Sequence, residues 1–146
     1  MELKTKNPSK YLTQYTENTN TLHSGTAIAI KHNISHKVTD NFIFDVVAVQ
    51  VHKITGDIIK ATLYLPLTRQ YIPFPDFIRL FRRHQPVYMI ADLNANHPTL
   101  GYRATNTIGR HIHTLNHNRT LNNVGPQFHT YFTHNTRTTP DIVLSN

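Results

Sequence analysis

The sequence predicts a mixed α/β domain with one core, and three observations carry that expectation. Short runs rich in Val, Ile and Phe stand at strand spacing. Two segments repeat apolar residues at the spacing of a helix face. The two kinds of segment follow one another as strands, helix, strand, helix, strands.

The first 24 residues are polar, rich in Thr and Asn and nearly free of aliphatic clusters, so residues 1–24 read as a flexible polar leader and residues 25–146 as the packed domain. From Gly25, Thr26–Ile30 alternates apolar and small residues, and Phe42–Val51 follows with Val and Phe at strand spacing. Thr55-Gly56-Asp57 supplies a turn and Ile58–Leu65 a third strand, which together predict a meander of three adjacent strands. After Pro75, Phe77, Ile78, Leu80 and Phe81 fit one face of a short helix, with Arg79, Arg82 and Arg83 on its outer side. Val87–Ile90 is a continuous apolar run, the pattern of a strand buried on both faces, and its end delivers Asp92 and Asn94 to a loop. Ile108, Ile112 and Leu115 mark a second helix from about Asn106, while Leu121, Tyr131–Phe132 and Ile142–Leu144 read as short strands.

A chain of 146 residues can bury about 68–70% of its unfolded surface, enough for a real core. Seven Phe and seven Tyr argue against disorder despite a mean hydropathy of -0.41. Fifteen Lys and Arg against eight Asp and Glu leave +7, which points toward a polyanionic partner, and eleven His add positive charge as pH falls. With no Cys, disulfides, thiolate zinc sites and cysteine nucleophiles are excluded, and any metal must be held by oxygen or imidazole. No apolar run is long enough to cross a bilayer and no charged-then-apolar leader opens the chain, so the expected location is nuclear or cytoplasmic, not secreted.

The segment richest in chemistry is Met89-Ile90-Ala91-Asp92-Leu93-Asn94-Ala95-Asn96-His97-Pro98-Thr99-Leu100-Gly101, where an apolar strand runs into an acid, an amide and an imidazole. A carboxylate at a strand end can orient or deprotonate a water or bind a hard cation, and an amide two residues on can donate to a phosphate oxygen. The plainer reading is an Asp and an Asn that close a turn. His113 and His117 share a helix face suited to zinc, but no third ligand of matching spacing accompanies them.

This segment resembles the Gly-Asp-(Leu/Phe)-Asn motif of the endonuclease/exonuclease/phosphatase superfamily, in the extended Gly-Asp-Leu-Asn-Ala-x-His-x-x-Trp-Gly form of non-LTR retrotransposon endonucleases. Ala91 replaces the usual Gly and Leu100 the usual Trp. Further blocks match in order. Ser24-Gly25-Thr26-Ala27-Ile28-Ala29-Ile30 resembles the Gly-Gly-(Thr/Val)-Ala-Ile strand. Ala61-Thr62-Leu63-Tyr64-Leu65-Pro66 resembles the strand ending in Tyr and Pro, Gly109-Arg110 fits the small helix after the Asp-Asn loop, and Thr138–Ser145 resembles the Ser/Thr-x-x-Asp-x-x-Leu block.

The resemblance implies two packed mixed β-sheets flanked by helices, a four-layer α/β sandwich of deoxyribonuclease I type, present here in part. It implies that Asp92 activates the attacking water, Asn94 holds the scissile phosphate, Tyr64 donates to a phosphate oxygen and Asp141 is a supporting carboxylate. It implies that His97 braces the loop or touches nucleic acid and that magnesium or manganese is the cofactor; by their charge, the Arg79, Arg82, Arg83 cluster and Arg103, Arg110 and Arg119 are candidates for contacts with a nucleic-acid backbone. DNA is the implied partner, with a reverse transcriptase in the same full-length polyprotein. The family's metal-binding Glu and terminal Ser-Asp-His block have no clear counterpart, so the domain reads as truncated and weak in cleavage. The rival reading is a relic or non-catalytic nucleic-acid-binding module.

Overall fold

The structure, a computed structural model, describes residues 3–6, 11–17, 25–39, 46–66, 72, 74–125, 131–132, 137–138 and 141–146. Its strands are β1 (Leu3–Lys6), β2 (Tyr11–Glu17), β3 (Gly25–Lys31), β4 (His36–Val38), β5 (Val47–Val51), β6 (Ile58–Tyr64), β7 (Val87–Asp92), β8 (Asn122–Asn123), β9 (Tyr131–Phe132), β10 (Arg137–Thr138) and β11 (Asp141–Ser145). Helix α1 spans Phe74–Phe81, α2 spans Thr107–His117, and a 3-10 turn covers Pro98–Leu100.

Six strands make a mixed sheet in the order β4-β5-β6-β7-β11-β8. β6 and β7 run parallel, joined through α1, and the other pairs in this sheet are antiparallel. A parallel pair needs a crossover of this kind, because a tight hairpin cannot return the chain in the same direction. One face of the sheet carries the larger core. Ile59, Ala61, Leu63, Val87, Met89, Ala91, Ile142 and Leu144 bury themselves against Phe77, Leu80 and Phe81 of α1 and Ile108, Ile112 and Leu115 of α2. Each such large side chain contributes about 1.5–3 kcal/mol on burial. Leu100, in the place where the resembled motif has Trp, is buried in the same core, and so is the methyl of Ala91.

The helices form where the apolar spacing predicts. Asp76 in the first turn of α1 is buried and paired with Arg79 at 3.1 Å, so Arg79 is tied to its own helix. Arg82 is exposed and Arg83 half-buried. At the β5–β6 hairpin, Gly56 adopts φ 117°, a value that strains any side chain. Asp57 beside it bonds His52 and the buried Gln50, which holds its carboxyl below the ordinary Asp range.

Three expectations are corrected. Leu3–Lys6 and Tyr11–Glu17, within the expected flexible leader, are strands of an antiparallel sheet in the order β1-β2-β3. The leader was judged by its lack of aliphatics, whereas Tyr and Thr, which β2 carries in quantity, favour strands as strongly as Val does. For the same reason β3 does not join β5 and β6 in a meander: it pairs with β2, and β4 takes the expected third place beside β5. Ile28 and Ile30 of β3 instead pack face-on against Val49, Val51 and Ile58. Lastly, β7 is buried on one face only, with Tyr88 46% and Ile90 62% exposed. A continuous apolar run records that both faces avoid charge, and does not record whether both are covered. The expected strand over Phe42–Val51 is described only from residue 46 onward.

Candidate active site

Three of the four residues assigned to chemistry stand in one row. Tyr64, the last residue of β6, is the cross-strand partner of Asp92, the last of β7, and Asp141, the first of β11, is the partner of Asp92 on its other side. Partners in register share a face, and neighbouring strands lie about 4.8 Å apart, so the row is about 10 Å wide. Leu63, Ala91 and Ile142 beside them point into the core, which turns Tyr64, Asp92 and Asp141 to the opposite face. The next row down that face is Thr62, Ile90 and Val143, and an apolar groove runs from it toward Ile28 of β3.

The loop after β7 is built by two asparagines. Asn94 adopts φ 47°, a left-handed conformation that Asn tolerates better than most residues. Its backbone N–H donates to Asp92 Oδ1 at 3.3 Å, and its side-chain Nδ2 donates to the carbonyl of Leu65 at 2.8 Å. Leu65 N in turn donates to the Asp92 carbonyl at 2.9 Å, so the ends of β6 and β7 are tied together at the row. One of the two N–H bonds of Asn94 Nδ2 is thus engaged in bracing.

Asn106 caps α2 and locks the loop to it. Its Oδ1 accepts from Gly109 N at 2.7 Å and from Asn96 N at 3.0 Å, while its Nδ2 donates to the Asn94 carbonyl at 2.7 Å. The sequence marked Asn106 only as a helix boundary. The available signal was an N-cap residue within reach of a loop rich in unpaired backbone groups. Asn106→Ala is expected to cost about 2 kcal/mol, combining a lost cap with backbone groups left without partners. Urea denaturation checks this: the midpoint should fall with an unchanged slope, and Asn106→Asp, which keeps the acceptor, should lose less.

Burial is the main cause that raises the Asp92 pKa above its ordinary value of 3.8; the charge of Asp141 adds to the rise, and the Asn94 N–H opposes it. Two neighbouring carboxylates form a donor pair that suits a hard cation, which can be held by one or two carboxylates with water in its other positions. Among the described residues no group of three or more His, Asp or Glu could hold a metal.

His97 caps the Pro98–Leu100 turn by accepting from Thr99 N at 3.2 Å, and its ring stacks on His113 with centroids 4.2 Å apart and planes 16° apart. Arg103, in the loop after the 3-10 turn, and Arg110, in α2, are both exposed. No helix of the described residues is long and apolar enough to cross a membrane.

No protein-family model matches the sequence, and no curated protein does either. Solved structures do. The endonuclease domain of TRAS1, a telomere-specific non-LTR retrotransposon, superposes with a TM-score of 0.63 and 14% identity over 90% of this chain and 66% of that one. An endonuclease/exonuclease/phosphatase family protein from Leptotrichia buccalis C-1013-b superposes with a TM-score of 0.57 and 11% identity over 96% of this chain and 61% of that one. This chain therefore spans less than two thirds of either neighbour. At such identities the likeness is one of fold: the chain shares the fold of these two proteins, with Tyr64, Asp92 and Asp141 in a row at one end of its six-stranded sheet.

Proposed function

We propose that the chain is a divalent-metal-dependent endonuclease domain that hydrolyses DNA phosphodiester bonds, as in the nicking of a retrotransposon target site. The observation that carries this reading is the register of three strands that sets Tyr64 and Asp141 on either side of Asp92, with Asn94 bonded to both strand ends. Within the reading, Asp92 orients the attacking water and accepts its proton, a role that suits a half-buried carboxylate of raised pKa. The Tyr64 hydroxyl and the Asn94 side chain donate to phosphate oxygens, and their fixed positions limit the reorganisation needed as charge develops. Asp141 supports Asp92 and completes the carboxylate pair. Magnesium or manganese, when bound at that pair, supplies positive charge to the phosphate and the leaving oxygen.

Arg103 and Arg110 meet the DNA backbone in this proposal. The three-stranded sheet over β5 and β6 belongs to the second sheet of a four-layer sandwich, and a reverse transcriptase is the companion activity in the full-length polyprotein. The test is nicking of supercoiled plasmid with magnesium and with EDTA. Open circles should accumulate only with the metal. Nicking that EDTA leaves unchanged would overturn metal dependence, and DNA that is bound but never cut would instead favour a non-catalytic binding module.

A further inference from the structure

The 3-10 turn and α2 bring three imidazoles into a line. His97 stacks on His113 at 4.2 Å, and His113 faces His117 at 6.2 Å with planes 28° apart. On α2, Arg110, His113 and His117 stand at i, i+3 and i+7, which makes a stripe about 10 Å long on one helix face. His97 and His113 are half-buried, while Arg110 and His117 are exposed. Building on the reading of the chain as a DNA-acting domain, we infer that Arg110, His113 and His117, underlaid by the ring of His97, form a phosphate-contact strip for a DNA strand that binds more tightly as its imidazoles take up protons.

Three observations favour an anion over the other ligands that imidazoles attract. Among the described residues no group of three or more His, Asp or Glu could hold a metal. No described carboxylate bonds any of these rings, so among the described residues positive charge on the strip has no acidic partner. The rings touch one another and Thr99 of the turn, and none of these groups is acidic. His117 also lies in the last turn of α2, where the helix dipole favours a cation.

The rings have different parts. Nδ1 of His97 accepts from Thr99 N and lies 2.8 Å from Thr99 Oγ1, so the proton of the neutral ring is on Nε2. Burial first, and then the proximity of His113, lowers the His97 pKa below its ordinary value. With its Nδ1 engaged by Thr99, His97 serves as a plate beneath His113, and His113 and His117 present the strip's imidazoles on α2. An imidazolium presents two N–H donors to phosphate oxygens, and a bound polyanion favours that form.

The experiment is fluorescence anisotropy of a 20-base-pair DNA duplex in EDTA at pH 7.5 and pH 5.5, across a salt series. For the unsubstituted protein, affinity should rise about tenfold on acidification, and the logarithmic salt slope should steepen by about two as two imidazolium contacts form. His113→Gln/His117→Gln, which retains polar side chains on the helix, should gain less than about threefold and show no added slope. His32→Gln/His84→Gln, exposed imidazoles outside the strip, should follow the unsubstituted protein. If the strip variant keeps the full pH response, or if the unsubstituted protein has none, the strip is overturned while DNA binding stands. If no DNA binds at either pH in low salt, the nucleic-acid reading falls together with it.

Discussion

Asp92→Asn is expected to lower magnesium-dependent plasmid nicking by about a hundred- to a thousandfold, the cost of removing one group that acts on charge in the transition state. The substitution preserves shape: an Asn Oδ1 can still accept from the Asn94 N–H that now bonds Asp92 Oδ1, so the loop has no reason to move. What disappears is the negative charge and the site for a proton. The pH dependence follows from the same group. Because the Asp92 pKa is raised by burial and by Asp141, the acid limb of the rate should lie above the ordinary Asp range, and Asp141→Asn should shift it to lower pH. Stability has the opposite preference. The folded state binds the Asp92 proton more tightly than the unfolded chain does, so stability is full below the ordinary Asp value of 3.8 and declines as pH rises through the raised value. Asp92→Asn escapes that decline. In EDTA its Tm at pH 7 should equal or exceed that of the unsubstituted protein, and the difference should shrink below pH 3. A variant that nicks at the full rate removes Asp92 from the chemistry, and one that melts lower at pH 7 shows that the loss of rate came from damage to the fold.

Much of the site was legible in the sequence because strands end where polar residues interrupt apolar runs. Tyr64 and Asp92 both stand at such ends, and Asp141 opens one. Their alignment could not be read from composition, since register depends on which strands pair, and β6, β7 and β11 are separated in sequence by a helix and by a long excursion. The polar strands β1 and β2 were missed for a related reason. Apolar periodicity detects a strand by the core it covers, whereas a Thr- and Tyr-rich strand is held by its ladder and by backbone preference. The uncovered face of β7 shows the converse, because Tyr88 and Ile90 look like core residues on a surface that no described element covers. Asn106 escaped notice because its three bonds reach back to residues that lie ten or more positions earlier in two cases, and a cap reads in sequence as a local feature.

Gly109→Ala sets two rules against each other, and their magnitudes decide the outcome. Within a helix, replacing Gly by Ala should stabilise by about 1 kcal/mol, since Ala loses less backbone freedom on folding. Gly109 lies in the first turn of α2, yet a Cβ there would stand 1.9 Å from the carbonyl oxygen of Asn96 and 2.4 Å from its carbonyl carbon. Those are backbone atoms, so no side-chain rotation relieves the overlap. The loop must retreat from the helix. Retreat stretches the bond from Asn106 N to the Asn96 carbonyl, now 3.0 Å, and the bonds by which Asn106 holds Asn96 and Asn94. Overpacking of a well-filled site costs about 1–3 kcal/mol, and each buried backbone group left unpaired about 1–3 more. The steric term therefore exceeds the helix preference, and a net loss of about 3 kcal/mol is expected, or a fall in Tm of roughly 10 °C for a chain of this size. Because the same bonds position Asn94 beside Asp92, nicking should fall with stability even at temperatures where the variant is folded. Thermal unfolding followed by circular dichroism, with nicking measured well below the transition, separates the two effects. An unchanged or higher Tm would show that the helix and the loop can part without cost, and that the close packing at Gly109 does not hold the loop after β7 in place.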